Sequence, residues 1–270
     1  MKKKFALVTL ISLVTIIFSP QPVVLAQTCP SIGAGTSRIQ LENGFLTVRD
    51  TQSQASTKFQ TSDKCIIGAP ASVPQFSIPT YPEMKSLYIT QNKLVTPISL
   101  SGSQTFTNSQ PHFSKNTAYL YTINQTDTDA GNLTVDQNFK IPKGATVVVF
   151  VDGDLTINDD LNDEKDSGVI FVVQKEARIA PSVTSVNAFI ITHGGFCSSF
   201  ASGLCISSVG KLTLNGSIIS FSSDPAKQPQ FKRTNGLNID PSEEIIYQPK
   251  YLELLKNIFA KTLQLWSEIQ

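Results

Sequence analysis

The chain is poor in charge, in histidine and in long apolar runs. Charged residues make up 16% of its 270 positions, against about 25% in an ordinary soluble domain. Lys plus Arg is 22 and Asp plus Glu is 21, a net charge of +1. That balance excludes a nucleic-acid binder, which needs a basic face to neutralise phosphates. It also excludes a tail-like chain held open by charge of one sign. There are two histidines and four cysteines, and no Cys-x-x-Cys, so a zinc site is not expected. No Gly-x-Ser-x-Gly occurs, and His112 and His193 are the only bases for a Ser-His-Asp triad. Past Ala26, no apolar run is long enough to cross a bilayer.

What is present begins with an export signal. Lys2, Lys3 and Lys4 precede an uncharged apolar run from Phe5 to Phe18; Pro20 and Pro22 break it, and Val24-Leu25-Ala26 offers small residues for cleavage before Gln27. This is the pattern of a secretory signal peptide over residues 1–26; the rival is an uncleaved anchor, the only membrane contact expected. Removing it takes the charge from +1 to −2. Outside the cytoplasm disulfides are permitted. The pairs nearest in sequence, Cys29–Cys65 and Cys197–Cys205, are the expected ones.

Residues 27–94 read as an N-terminal region. Ile39 and Leu41 before Asn43-Gly44, and Leu46 and Val48 after it, predict a β-hairpin. Four prolines at 70–82 keep that stretch extended, and residues 83–94 predict a short helix packed by Met84, Leu87 and Tyr88. Residues 95–248 carry the main pattern. Val147-Val148-Val149-Phe150-Val151, Gly153 and Leu155-Thr156-Ile157 recur 22 residues later as Val169-Ile170-Phe171-Val172-Val173 and Ala177-Arg178-Ile179. Val151 matches Val173, Leu155 matches Ala177, and Ile157 matches Ile179. A third unit starts at Ala188, and a fourth runs over 212–221. A strand–turn–strand unit recurring at such an interval predicts a short single-stranded parallel β-solenoid. One turn of such a structure cannot bury its inward Val, Ile and Phe alone, and stacked turns can. Residues 249–270 predict a helix, with Tyr251, Leu254, Leu255, Ile258 and Phe259 on one face. It would cap an open end of the stack, and the N-terminal block would flank the other. The fold class is mainly β, an N-terminal hairpin, β-solenoid and capping α-helix.

In this order, the segments FVDGDLTI, GVIFVVQKEARI, AFIITHGGFC, LTLNGSIIS and IIYQPKYLELLKNIFAKTLQLWSEI resemble a group of uncharacterised bacterial secreted surface proteins with β-solenoid cores. Some of these are associated in appearance with pilus assembly. The resemblance spans about residues 65–270 and implies fold and location, and no reaction. Lys175-Glu176 stands where a Gly-Asn or Gly-Asp turn is expected.

Two clusters invite chemistry. Asp152, Asp154, Asp159 and Asp160 lead an acidic stretch whose oxygens suit calcium, although no glycine sits at the sixth position of an EF-hand loop; the expected role is a solvated turn, with no cofactor. Asp127, Asp129 and Asp136 form a weaker version. Asp159, Asp160 and His193 imitate pieces of a β-helix glycosidase site. The Asn-Thr-Asp and Arg-Ile-Lys segments of such enzymes are missing, and Arg178-Ile179 precedes the histidine. Tyr119 and Tyr121 suit sugar stacking but are expected in the strand core. The sequence reading is therefore an exported, non-enzymatic surface or envelope protein. Its partners would be other envelope proteins or cell-surface polysaccharide. A carbohydrate-active enzyme or sugar-binding module is the alternative.

Overall fold

The computed structural model describes residues 79–251, apart from 93–94, 138, 165, 223–226 and 235–241, together with the backbone of strands Arg38–Glu42, Thr47–Val48 and Cys65–Ile67. The expected signal segment over residues 1–26, the expected Cys29–Cys65 pairing and the expected helix beyond Tyr251 lie outside the described residues.

The β-branched runs predicted to stack do so. Gly168–Val173 pairs in parallel with Thr146–Val151, with Val172 opposite Phe150 and Val173 opposite Val151. Leu155 lies opposite Ala177, and Ile157 opposite Ile179. A first parallel sheet runs in spatial order Ile98–Ser101, Ala118–Asn124, Thr146–Val151, Gly168–Val173, Phe189–Thr192, Ser217–Ser220 and Thr47–Val48. A second holds Gln104–Phe106, Leu133–Val135, Leu155–Ile157, Glu176–Ile179 and Gly195–Cys197. A third set of strands starts with Lys140–Ile141 beside Asn162–Asp163 and crosses the Leu161–Val186 bridge to Ser185–Val186. It continues through Leu212–Asn215, Glu243–Ile246, Arg38–Glu42 and Cys65–Ile67. From Ala118 to Val186 the chain visits the first, second and third sets in turn and returns one rung along. The molecule is mainly β, built from parallel sheets, and compatible with a β-solenoid.

The continuous apolar runs follow from burial on both sides of the first sheet. Val147, Val149, Val151, Phe171 and Val173 face an interior shared with Leu133, Leu155, Ile157 and Ile179. The alternate residues Val148, Phe150, Ile170 and Val172 point outward and meet the helix Tyr81–Gln91 through Tyr81, Met84 and Tyr88. Each such side chain contributes about 1.5–3 kcal/mol when withdrawn from water. The helix starts two residues earlier than the sequence predicts. Pro82 lies in its first turn, where a missing N–H costs no helical bond. Glu83 accepts hydrogen bonds from the Thr80 N–H (2.7 Å) and hydroxyl (2.9 Å). Tyr81 thereby joins Met84 and Tyr88 against the sheet, while Leu87 is only half-buried.

Two expectations need correction. Arg38–Glu42 and Thr47–Val48 do not form a hairpin with each other. The first pairs in parallel with Glu243–Ile246 and the second with Ser217–Ser220, so residues on either side of Asn43-Gly44 belong to different sheets. The unit at 212–221 is out of phase with the others: Leu212–Asn215 belongs to the third set and Ser217–Ser220 to the first, whereas 146–157 runs from the first sheet to the second. Tyr251, the last described residue, packs on Phe189 (ring centroids 5.8 Å apart) within the cluster covering the outer side of the first sheet; the rest of the expected capping segment lies outside the described residues.

One end of the interior is plugged by aromatic rings. Phe113 packs edge-on against Tyr119 (5.1 Å), Phe139 (5.6 Å) and Tyr121 (6.1 Å), and Phe106 meets Tyr121 at 5.4 Å. Tyr121 is thus a core residue, and the partly buried Tyr119 packs against that core.

Candidate functional site

The corner where the chain passes from the first sheet to the second repeats at Asp152-Gly153-Asp154, Gln174-Lys175 and His193-Gly194. The backbone is tied from rung to rung there. Gly153 N donates to Gly131 O (3.0 Å), Lys175 N to Gly153 O (3.3 Å) and Gly194 N to Lys175 O (2.9 Å). A Cβ on Gly194 would lie 2.5 Å from the Lys175 carbonyl carbon, so only glycine fits beneath the lysine rung. Lys175-Glu176 therefore occupies a turn of the same kind as its neighbours.

Along this corner lies an open cleft of about 440 Å³, lined by side chains of successive rungs: Asp154, Lys175, Glu176, Arg178, His193 and Lys227 among them. Arg178 organises its floor. The guanidinium donates to Glu176 Oε2 from Nη2 (2.8 Å) and Nε (3.0 Å), pairs with Asp154 Oδ2 through Nη1 (2.8 Å), and lies 4.6 Å over the Phe200 ring. Both carboxylates of the cleft are spent on that one cation. Lys175 and Lys227 are exposed at its walls. His193 packs against Phe221 (5.2 Å) and Tyr81 (6.2 Å), and its Nε2 is buried with no hydrogen-bond partner. Burial lowers its pKa from 6.5 to about 4, so at neutral pH the ring is uncharged and a weak base.

The acidic residues singled out in the sequence are brought to two different corners. Asp152 anchors the helix. Its Oδ1 accepts from the Tyr81 hydroxyl and from Lys85 Nζ, both at 2.7 Å, and Oδ2 accepts from Gln125 N at 3.2 Å. Burial works against its charge, but the Lys85 and Tyr81 hydrogen bonds outweigh it and hold the carboxyl below its ordinary value. Asp154 belongs to a ladder: its N–H donates to Asn132 Oδ1 (2.8 Å), and its own Oδ1 accepts from Glu176 N (3.0 Å). Asp159 and Asp160 sit between the second and third strand sets, one corner away from His193. Asp159 Oδ1 accepts from Asp160 N (2.8 Å). Asp160 Oδ1 accepts from Thr184 N (2.7 Å) and Ser185 N (3.0 Å), and Oδ2 from the Thr184 hydroxyl (2.9 Å). Its burial opposes ionisation and these donors prevail, so its pKa is lowered. The supposed glycosidase constellation is thus not assembled at one corner, and the acidic turn supplies acceptors for corner N–H groups of neighbouring rungs. Among the described residues no three His, Cys, Asp or Glu side chains converge as a metal site.

Cys197 and Cys205 are joined, with Cα atoms 5.9 Å apart, as the sequence suggested. The bridge ties Leu204–Cys205, which pairs antiparallel with Phe200–Ala201, back to Gly195–Cys197 of the second sheet. Sequence reasoning missed Arg233. Buried almost completely, it donates from Nε to Ser198 O (2.9 Å) and from Nη2 to Ala180 O (2.7 Å), and also to the Pro181 and Val183 carbonyls. Its backbone N–H meets the equally buried Glu243 (3.2 Å), which also accepts from the Ser198 hydroxyl. Nothing in the local sequence marks it, since its carbonyl partners belong to earlier rungs, distant along the chain.

Among the described residues no helix is long and apolar enough to cross a membrane. Comparison with protein-family models, with curated proteins and with solved structures finds no match.

Proposed function

We propose that the chain is an exported, non-enzymatic β-solenoid that serves as a rigid scaffold at the cell surface or in the envelope. The observation that carries this reading is the internal commitment of its acidic side chains. Asp152 holds the helix, Asp154 and Glu176 hold Arg178, and Asp160 holds the Thr184–Ser185 backbone. A glycosidase needs two carboxyl groups about 5–9.5 Å apart and free to exchange protons across a sugar. The histidine at the cleft has no carboxylate pairing with its ring among the described residues, and burial keeps it neutral. Export rests on the leader-like residues 1–26, and the placement among surface proteins on the resemblance of the strand segments.

The test is fractionation of expressing cells, together with a polysaccharide-turnover assay on the purified chain. Recovery in the envelope or medium with no turnover is expected. Retention in the cytoplasm, or turnover that disappears in Asp160→Asn or His193→Gln, would overturn the reading. A second reading, a sugar-binding module, is favoured by the cleft itself. Lys175 and Lys227 stand exposed on its walls, suited to carboxylated sugars. Binding of an acidic glycan that is lost in Lys175→Glu and Lys227→Glu would establish it.

A further inference from the structure

The two ends of the stack are built differently. Beyond Ser217–Ser220 and Glu243–Ile246 the chain adds Thr47–Val48, Arg38–Glu42 and Cys65–Ile67. At the opposite end Ile98–Ser101 and Gln104–Phe106 are the last strands of the first and second sheets, and no described residue pairs with their outer edges. Their inner sides are accounted for. Gly102 N donates to Asn124 O (2.9 Å), Gln104 N to Asn132 O (2.8 Å), and Phe106 O accepts from Asp136 N (2.9 Å). Backbone groups of a parallel strand alternate between its two neighbours. The N–H and C=O of Ser99 and Thr105 therefore point away from the stack.

Phe113 and its aromatic neighbours plug the interior at this end, but among the described residues the strand edge itself carries no charged side chain and no paired strand, devices that keep edges apart. Residues 95–114 contain no Lys, Arg, Asp or Glu. Asp129, at the same corner, is spent on the Ser103 hydroxyl (2.6 Å) and Gly131 N (2.8 Å). Ile98 shares its register with Tyr121, which is 4% exposed, yet Ile98 is 39% exposed, and no described strand lies beyond it.

We propose that this end pairs with the same end of a second copy of the chain, continuing both sheets across a two-fold interface. This deepens the scaffold reading and rests on it. The shape of the edge selects the partner. The two free strands meet at a bend at Gly102, φ +74°, so a straight peptide satisfies one strand and leaves the other unpaired. A second end carries the same bend. An uncharged surface also meets itself without like-charge repulsion. A two-fold contact between like ends uses the same patch on both copies, so it closes as a dimer and does not grow into a fibre.

Sedimentation equilibrium of the purified full chain across the micromolar range tests this. The expected result is a reversible dimer, weakened at least about tenfold in Ser99→Pro/Thr105→Pro, which removes two outward donors while keeping the inward ladder. Thr105→Lys, an exposed outward position, is expected to weaken it likewise. If the proline variant fails to keep the parent's thermal transition, the lysine variant decides. A monomer at every concentration, a dimer that the tested variants leave intact, or a monomer that instead captures an added strand-forming peptide overturns the proposal. A monomer still recovered in the envelope would sink the pairing while leaving the scaffold reading standing.

Discussion

His193 makes stability depend on pH in a window where few other groups titrate. In an unfolded chain its imidazole takes up a proton near pH 6.5, whereas burial against Tyr81 and Phe221 delays this in the fold to about pH 4. Between those values the unfolded state binds more protons than the native state, so stability falls as pH falls. A fully shielded ring would account for about 3 kcal/mol across the window, at about 1.4 kcal/mol per pH unit. His193 is only part-buried and borders an open cleft, which reduces the expected loss to about 1–2 kcal/mol. Urea unfolding at several pH values from 7.5 to 4.5, with His193→Gln as the non-titrating control, measures it. The parent should lose about 1–2 kcal/mol more than the variant over that range. Equal losses in both proteins would refute the assignment of a buried, neutral imidazole. Asp152 and Asp160, whose pKa values are lowered, act in a different window: their stabilisation is present above the unfolded carboxylate value near 4 and is lost as pH falls through their folded values.

Phe171→Ala empties a fully buried interior position and should cost about 3–5 kcal/mol by urea unfolding, whereas Val209→Ser, on a side chain 79% exposed, should change stability by less than about 0.5 kcal/mol. Tyr81→Phe removes the hydroxyl bonded to Asp152 at 2.7 Å and should cost about 1–3 kcal/mol, with earlier hydrogen exchange in Tyr81–Gln91 than in the sheets. Gly216→Ala would drive a Cβ into the Ala188 carbonyl oxygen; the shift this forces should lower stability by about 1–3 kcal/mol, visible as a lower Tm.

How far the sequence reveals this fold depends on how long each strand is. The runs at 147–151 and 169–173 are long enough to display their register by eye, and Val151–Val173, Leu155–Ala177 and Ile157–Ile179 pair in it. The third strand set leaves no such trace, because Lys140–Ile141, Asn162–Asp163 and Ser185–Val186 are two residues each, too short for alternation to be seen. Asn43-Gly44 misleads because alternation on both sides of a turn is equally compatible with two strands whose partners lie near the other end of the chain. The acidic residues at 152–160 read as a solvated turn or a calcium loop. Their use as acceptors for Glu176, Thr184 and Ser185 depends on neighbouring rungs that the local sequence does not contain. The cleft is likewise assembled from residues of separate rungs, Asp154, Lys175 and His193, which only the stacking brings together.

Stacking of successive rungs is tested most directly by spin labels at Thr105, Thr134 and Thr156, which share one register on the second sheet. Labels at Thr134 and Thr156 should sit on adjacent strands about 5 Å apart, and those at Thr105 and Thr156 about 10 Å apart. The expected spectra show strong dipolar broadening for the first pair and weaker broadening for the second. Spectra without broadening in either pair would contradict the stack.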